Sequence, residues 1–171
     1  MEIALQRQVY LWDTVTDDIR FEVLDAGTRE EILRHLLRLS DDDRHLRFGG
    51  TVTAEGIARY TGSLDLARDR TIAARDREGR IAGIAQIMPI TSDGVATAEV
   101  AFSIDPARRG VGLGKRLVGE AIILADRLGV RRLLAQVCPG NAPMLSILRR
   151  VGMNFAREDG EMVGTLFLHA R

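Results

Sequence analysis

Apolar residues recur along this chain with two different periods, and the switches between them mark its elements. RFEVLDAG (20–27) reads as a strand running into a turn. Thr28 to Glu31, TREE, has the spacing of a capping box, in which a threonine and a glutamate three residues on satisfy orphan helix amides. Ile32, Leu33, Leu36 and Leu37 follow at helical spacing and predict a helix to about Leu39. SDDDRHLRFGG (40–50) reads as a polar loop, and a second short helix after Thr53 carries Ile57, Tyr60 and Leu64 on one face. The middle of the chain changes to period two: TIAARD (71–76), a turn at Glu78–Gly79, RIAGIAQIM (80–88), a break at Pro89 and 91–94, then VATAEVAFSID (95–105). In the last of these Val100, Phe102 and Ile104 face one way, and Thr97, Glu99, Ala101 and Ser103 the other. Leu113, Leu117, Ala121, Leu124, Ala125 and Leu128 then form a helical stripe that Gly129 ends. RLLAQV (132–137) is a further strand. Asn141 is placed to cap a helix that tolerates Pro143 in its first turn, carries Met144, Leu148 and Val151, and closes at Gly152. NFARE and MVGTLFLHA predict a terminal hairpin turning at Asp159–Gly160. The order β-α-α-β-β-β-α-β-α-β-β predicts an α+β (mixed α/β) fold with one sheet, not the strict alternation of a doubly wound one. With no internal repeat or low-complexity linker, residues 1–171 read as one domain, with 1–19 as an N-terminal extension.

Composition narrows the partners. Lys+Arg and Asp+Glu are equal at 24 each, so there is no basic field to gather nucleic acid or anionic lipid. The segments RIAGIAQIMPI and LVGEAIILA are too short and too interrupted to span a bilayer. Cys138 is the single cysteine, which excludes an internal disulfide and fits a reducing compartment. MEIALQRQVYLW has neither a basic n-region nor a long apolar h-region, and a cytoplasmic location is expected. His35, His45 and His169 show no metal-ligand spacing with one another or with Cys138, and no metal site is expected.

The chemistry concentrates between the third central strand and the long helix, in ARRGVGLGKRL (107–117). A P-loop would need a glycine where Arg109 stands and a hydroxyl where Arg116 stands, so an NTP-hydrolysing site is disfavoured. The dinucleotide spacing G-x-G-x-x-G fails as well, at Lys115 and Leu117. Arg109-x-x-Gly112-x-Gly114 is left. Its glycines allow positive φ and close approach of a ligand, so amides of Gly110 to Lys115 can converge on an anion at a helix start. Arg108, Arg109 and Lys115 would add charge at the rim, and a diphosphate suits such a nest. The competing reading is a strand-to-helix turn that binds nothing.

FSIDPARRGVGLGKRL resembles the acetyl-CoA-binding motif of the GNAT N-acetyltransferase superfamily, R/Q-x-x-G-x-G/A after a strand. Asn141 followed by APMLSILRRVGM resembles its second signature, and LSDDDRHLRFGG is similar to the helix-linking loop of the bacterial protein-lysine acetyltransferases. The resemblance runs from about residue 20 to the C-terminus. It implies a single central, mostly antiparallel sheet with a splayed gap for CoA, and acetyl-CoA as co-substrate. Backbone groups of Phe102, Ser103 and Ile104 would meet the pantetheine. Arg109, Gly110, Val111, Gly112, Leu113, Gly114 and Lys115 would hold the diphosphate, and Asn141 would touch the coenzyme near its other end. It further implies direct attack on the thioester by an amine acceptor, either a protein lysine or a small molecule, and it admits a homodimer. Glu99, ten residues before Arg109, is the candidate base; the competing reading is a structural or solvated carboxylate.

One departure stands out. The family's tyrosine, seven residues after the asparagine, is Leu148 here, and the closing aromatic is Met153. Ser146 or Cys138 could hold a water or proton in its place, or could simply be packed. Arg44, His45, Arg47 and Phe48 are candidates for lining an acceptor cleft, while Asp41–Asp43 read as solvated. The alternative function is an acetyl-CoA-sensing module of the same fold that performs no transfer.

Overall fold

Period-two alternation in the middle of the chain produces a sheet whose two faces are both covered. The computed structural model describes residues 18–91 and 93–168; the expectations for residues 1–17, Ser92 and His169 lie outside them. The strands are β1 (Arg20–Leu24), β2 (Arg70–Arg75), β3 (Ile81–Ile90), β4 (Thr97–Ile104), β5 (Arg132–Val137), β6 (Asn154–Glu158) and β7 (Glu161–Phe167). The helices are α1 (Arg29–Leu37), α2 (Asp41–Phe48), α3 (Ala54–Ser63), α4 (Leu113–Arg127) and α5 (Ala142–Arg150). In space the strands run β1-β2-β3-β4-β5-β7-β6, every neighbouring pair antiparallel except β4 and β5. The mixed α/β fold with one mostly antiparallel sheet is as expected, with one helix more.

Alternate residues of the strands feed two cores. Ile72, Ala85, Ile87 and Val100 pack with Leu113, Leu117, Ala121 and Ala125 of α4 and with Leu145 and Leu148 of α5. Ala73, Ile81 and Ile84 pack with Ile32 and Leu36 of α1 and Ile57 of α3. Each wholly buried leucine or isoleucine among them stabilises the fold by about 2 kcal/mol.

Several local signals act as read. Thr53 Oγ1 accepts from the Gly56 amide at 3.1 Å and starts α3. Asn141 Oδ1 accepts from the Met144 amide at 3.3 Å and starts α5. Asp159 and Gly160, with φ of 47° and 90°, make the tight left-handed turn of the last hairpin.

Three expectations need correction. Thr28 does not cap α1: its hydroxyl donates to the Asp25 carbonyl, and Glu31 accepts from Arg75 at 2.6 Å, so the TREE box never forms. Asp25 caps a short 3-10 turn over Ala26–Thr28 instead. Residues 40–50 are not a loop. Ser40 caps α2 through the Asp43 amide, three aspartates favour its positive end, and Gly49 closes it in the left-handed conformation at φ 72°. Finally, Pro89 does not break its strand, because β2 pairs with β3 only as far as Ile87. Beyond that point β3 has a single neighbour, and a residue without an N–H is tolerated on the open side.

The feature that positions the site is the one parallel pair. β4 and β5 are paired only at Thr97–Arg132, Ala98–Leu133 and Glu99–Leu134. After Glu99 they part, and Val100 to Ile104 keep β3 as their neighbour.

Candidate active site

A cleft of about 590 Å³ opens where the two strands diverge. Its floor is the free stretch of β4, through Phe102, Ser103 and Ile104; α2 forms one wall, and the start of α4 together with α5 forms the other. Ten of the twelve expected site residues line it: Phe102, Ser103, Ile104, Arg109, Gly110, Gly112, Leu113, Gly114, Lys115 and Asn141. Val111 is 55% exposed and lies outside the lining. Glu99 is also outside it, half-buried at the last rung before the fork.

The glycine turn is built by the backbone. Gly110 and Gly112 have φ of 76° and 81°, a region that costs a residue with a Cβ. Gly112 is the N-cap of α4 and no side chain caps that helix, so the positive end of the helix dipole and its uncapped first turn border the cleft. Gly114 serves differently from the expectation. It is helical, and a Cβ there would come within 3.2 Å of Ile147 Cδ1, so its lack of a side chain sets how closely α5 approaches α4.

The arginines of the motif are also occupied differently from the expected rim of charge. Arg108 pairs with Asp76 at 2.8 Å. Arg109 pairs with Asp43 of α2 at 2.7 Å and donates to the Ile104 carbonyl at 3.2 Å. Burial opposes charge on the Asp43 carboxyl, but hydrogen bonds from Ser40 and Arg109 prevail and hold its pKa below the ordinary aspartate value. Lys115 makes no ion pair among the described residues and remains a free cation at the helix start.

On the opposite side of the cleft, side chains do the building. Gln86 of β3 is fully buried, with its Oε1 accepting from Arg47 Nη2 at 2.5 Å and from the Tyr60 hydroxyl at 2.8 Å. The Arg47 guanidinium lies 4.9 Å from the Phe48 ring centre and 5.7 Å from that of Tyr60. Nearby, His35 of α1 has no exposure and shares a hydrogen bond of 2.9 Å between its Nε2 and Ser103 Oγ. Burial, aided by the positive charge of Arg38, lowers the His35 pKa to about 4, so the ring is neutral at physiological pH.

Sequence reading named Arg47 and Phe48 but missed Gln86, Tyr60 as a polar partner, His35 and Asp43. Gln86 carried one available signal: a lone amide inside the apolar run IAGIAQIM, which a buried strand position must satisfy. Among the other candidates, Ser146 lines the cleft, Cys138 does not, and Leu148 is 1% exposed within the core. Arg44 is tied to Asp41 and the Leu37 carbonyl, and His45 is exposed.

Among the described residues the sheet parts at its single parallel pair, and a glycine-loosened helix start stands at the opening, an architecture that offers a free strand edge beside an anion-binding helix start. The chain belongs to the acetyltransferase (GNAT) family, whose family model matches residues 36–153. Over 68 residues it is 40% identical to acetyltransferase Pat of Mycolicibacterium smegmatis, covering 40% of this chain and 20% of that protein. Over 114 residues it is 35% identical to mycothiol acetyltransferase of Nocardia farcinica, covering 64% of this chain and 35% of that protein. The matched stretches thus span between a fifth and about a third of the curated relatives' length. Among solved structures, the GNAT domain of S. lividans PAT superposes with a TM-score of 0.75 at 23% identity, covering 92% of this chain and 98% of that one. The yncA protein of Salmonella typhimurium, solved with its cofactor acetyl-CoA, superposes with a TM-score of 0.66 at 17% identity, covering 91% and 96%. The structural likenesses are likenesses of fold. Among the described residues no helix is long and apolar enough to cross a membrane.

Proposed function

We propose that this chain is an acetyl-CoA-dependent N-acetyltransferase acting on an amine acceptor. The observation that carries the reading is the coincidence, in one cleft, of an uncapped helix start and a strand edge stripped of its partner, with a carboxylate at the fork just beyond the lining. The cleft suits the coenzyme on its own chemistry: amides at Gly112 to Gly114, the helix dipole and free Lys115 favour an anion. Phe102, Ser103 and Ile104 offer the edge on which an amide-bearing arm can lie as an added strand. Asn141 borders the same cleft.

When bound, acetyl-CoA supplies the thioester whose acyl carbon takes the amine, the C–N bond forming as the C–S bond breaks and the thiolate leaves. An alkyl ammonium with a pKa of roughly 10 is a poor nucleophile at neutral pH, so a base must take its proton. Glu99 is our candidate for that base, directly or through a water, since it stands half-buried where the strands part and has no ion pair among the described residues. An amide of the freed β4 edge can polarise the carbonyl. The two cores share one sheet, which supports reading the chain as a single domain, and the lone thiol of Cys138 supports a cytoplasmic setting.

One observation favours a second reading, a coenzyme-sensing module without transfer: Leu148 is in the core, so no acid reaches the cleft from the position where the family pattern has tyrosine. Thiol release from acetyl-CoA with a panel of amines separates the two. Glu99→Gln should lower kcat by about 100-fold or more while calorimetric coenzyme affinity stays within about twofold. Unchanged turnover removes Glu99 from the mechanism, and coenzyme binding with no turnover on any amine selects the sensor.

A further inference from the structure

The acceptor side of the cleft and the fork beside it carry two opposite charges with no ion pair among the described residues. Arg47 is half-buried and lines the cleft, yet among the described residues every group that it meets is neutral: the Gln86 amide oxygen and the Tyr60 hydroxyl, both on Nη2, and the Phe48 and Tyr60 rings. Its Nε is buried with no partner, and no carboxylate pairs with it among the described residues. The network around it is unfilled too. Arg47 requires an acceptor, which fixes the Gln86 oxygen towards it and turns the amide NH2 away, where it is buried and unbonded. The Thr71 hydroxyl, opposite Gln86 on β2 and also unbonded, can take at most one of its two protons. Half-desolvated cations are ordinarily paired, and a guanidinium presents a planar fork that matches a carboxylate.

The second charge is Glu99. Gln86 stands opposite Ala101 in the β3–β4 register, and Glu99 is the next residue of β4 on that face. The Gln86 position, which holds Arg47, and Glu99 are therefore one repeat apart, about 7 Å along the strand. We infer that the acceptor is a small zwitterionic amino acid, with its carboxylate on Arg47 and its amine at Glu99. The inference rests on the acetyl-transfer reading. A protein lysine brings only the cation and would leave Arg47 as it is, unpaired.

The test compares the common L-amino acids, each beside its carboxamide, and lysine peptides, using the full chain. Ligand-observed NMR with coenzyme A present reads binding, and thiol release from acetyl-CoA reads turnover. The best acid should exceed its amide by about 30-fold in affinity and in kcat/KM, the worth of one charge-assisted fork. Arg47→Gln should reduce that preference to within about threefold, Arg47→Lys should give an intermediate value, and calorimetric coenzyme affinity should stay within about twofold. The wild-type comparison needs no variant. Absence of acid binding, equal or better binding of the amides, preference for lysine peptides, or a tenfold loss of coenzyme affinity in Arg47→Gln would each overturn the inference. Acid binding with no thiol release would retain the carboxylate site and reject acetyl transfer.

Discussion

The two ends of the cleft are made of different material. At the glycine turn the groups offered to a ligand are backbone amides, held by two left-handed glycines and the start of α4. At the α2 end they are side chains, Arg47 above all, held by Gln86 and Tyr60 from two other elements. A backbone site depends on a few consecutive residues, because φ and hydrogen-bond direction are local properties. A side-chain site depends on residues as far apart in the chain as Arg47 and Gln86, and only folding brings them together. On the proposed reading the first kind would serve the coenzyme and the second the acceptor.

The largest expected effect tests the floor that joins the two ends. His35 is neutral and buried, with its folded pKa near 4 against about 6.5 for a free histidine. The unfolded chain binds that proton first, so His35 contributes stability fully above about pH 6.5, and this contribution is lost as pH falls towards 4. The loss amounts to about 3 kcal/mol. Thermal melts between pH 7 and 4 should show it, and His35→Gln should flatten the slope in that window. Glu31, Asp43 and Asp76 have lowered pKa values, so their contributions are intact above the ordinary carboxylate range and begin to fade as pH falls through it, which leaves the slope between about pH 7 and 5 to His35. A flat profile in the wild-type chain would show that the His35–Ser103 contact does not hold a neutral ring.

Next in size is the backbone end. Gly112→Val places a β-branched residue at φ 81°, at a cost of about 2–3 kcal/mol, and should weaken coenzyme binding by roughly 30- to 100-fold. Lys115→Ala, which removes one half-exposed charge, should cost only about threefold. Calorimetry on both variants decides the matter. If the lysine change proves the larger, the site is built by charge and the contrast between its ends fails.

How much could be read beforehand follows the same division. The glycine turn, the Asn141 cap and the final hairpin turn are local, and their residues stated them. The parting of β4 from β5 was reachable only through the family resemblance, since no residue in either strand encodes the absence of a neighbour. α2 was missed because it buries no apolar residue and so has no stripe to detect, although Ser40 and Gly49 had marked its ends. The TREE box failed because Glu31 found a stronger partner in Arg75, 44 residues away, where a charged hydrogen bond outweighs a helix cap. Arg109 was expected to face a ligand, and its pairing with Asp43 could not be foreseen because Asp43 lies on the unread helix.

That ion pair ties α2 directly to the glycine turn, and breaking it gives the smallest and most specific effect. Asp43 is anchored in the first turn of α2 by Ser40, and its side chain is only 11% exposed where it meets Arg109. An anionic coenzyme arriving at the glycine turn meets that carboxylate as a like charge and finds one of its cations already engaged. Asp43→Asn removes the repulsion and frees Arg109 while keeping a side chain able to accept from Ser40. Coenzyme should bind about threefold tighter in dilute buffer, and the gain should fade as salt approaches about 1 M, where charges are screened within roughly 3 Å. If α2 is held against the coenzyme loop by this pair, the same variant should also loosen the wall that carries Arg47, so the acceptor KM should rise as coenzyme affinity improves. Movement of both constants in the same direction would mean that the two ends respond as one site, and the comparison would have to be abandoned.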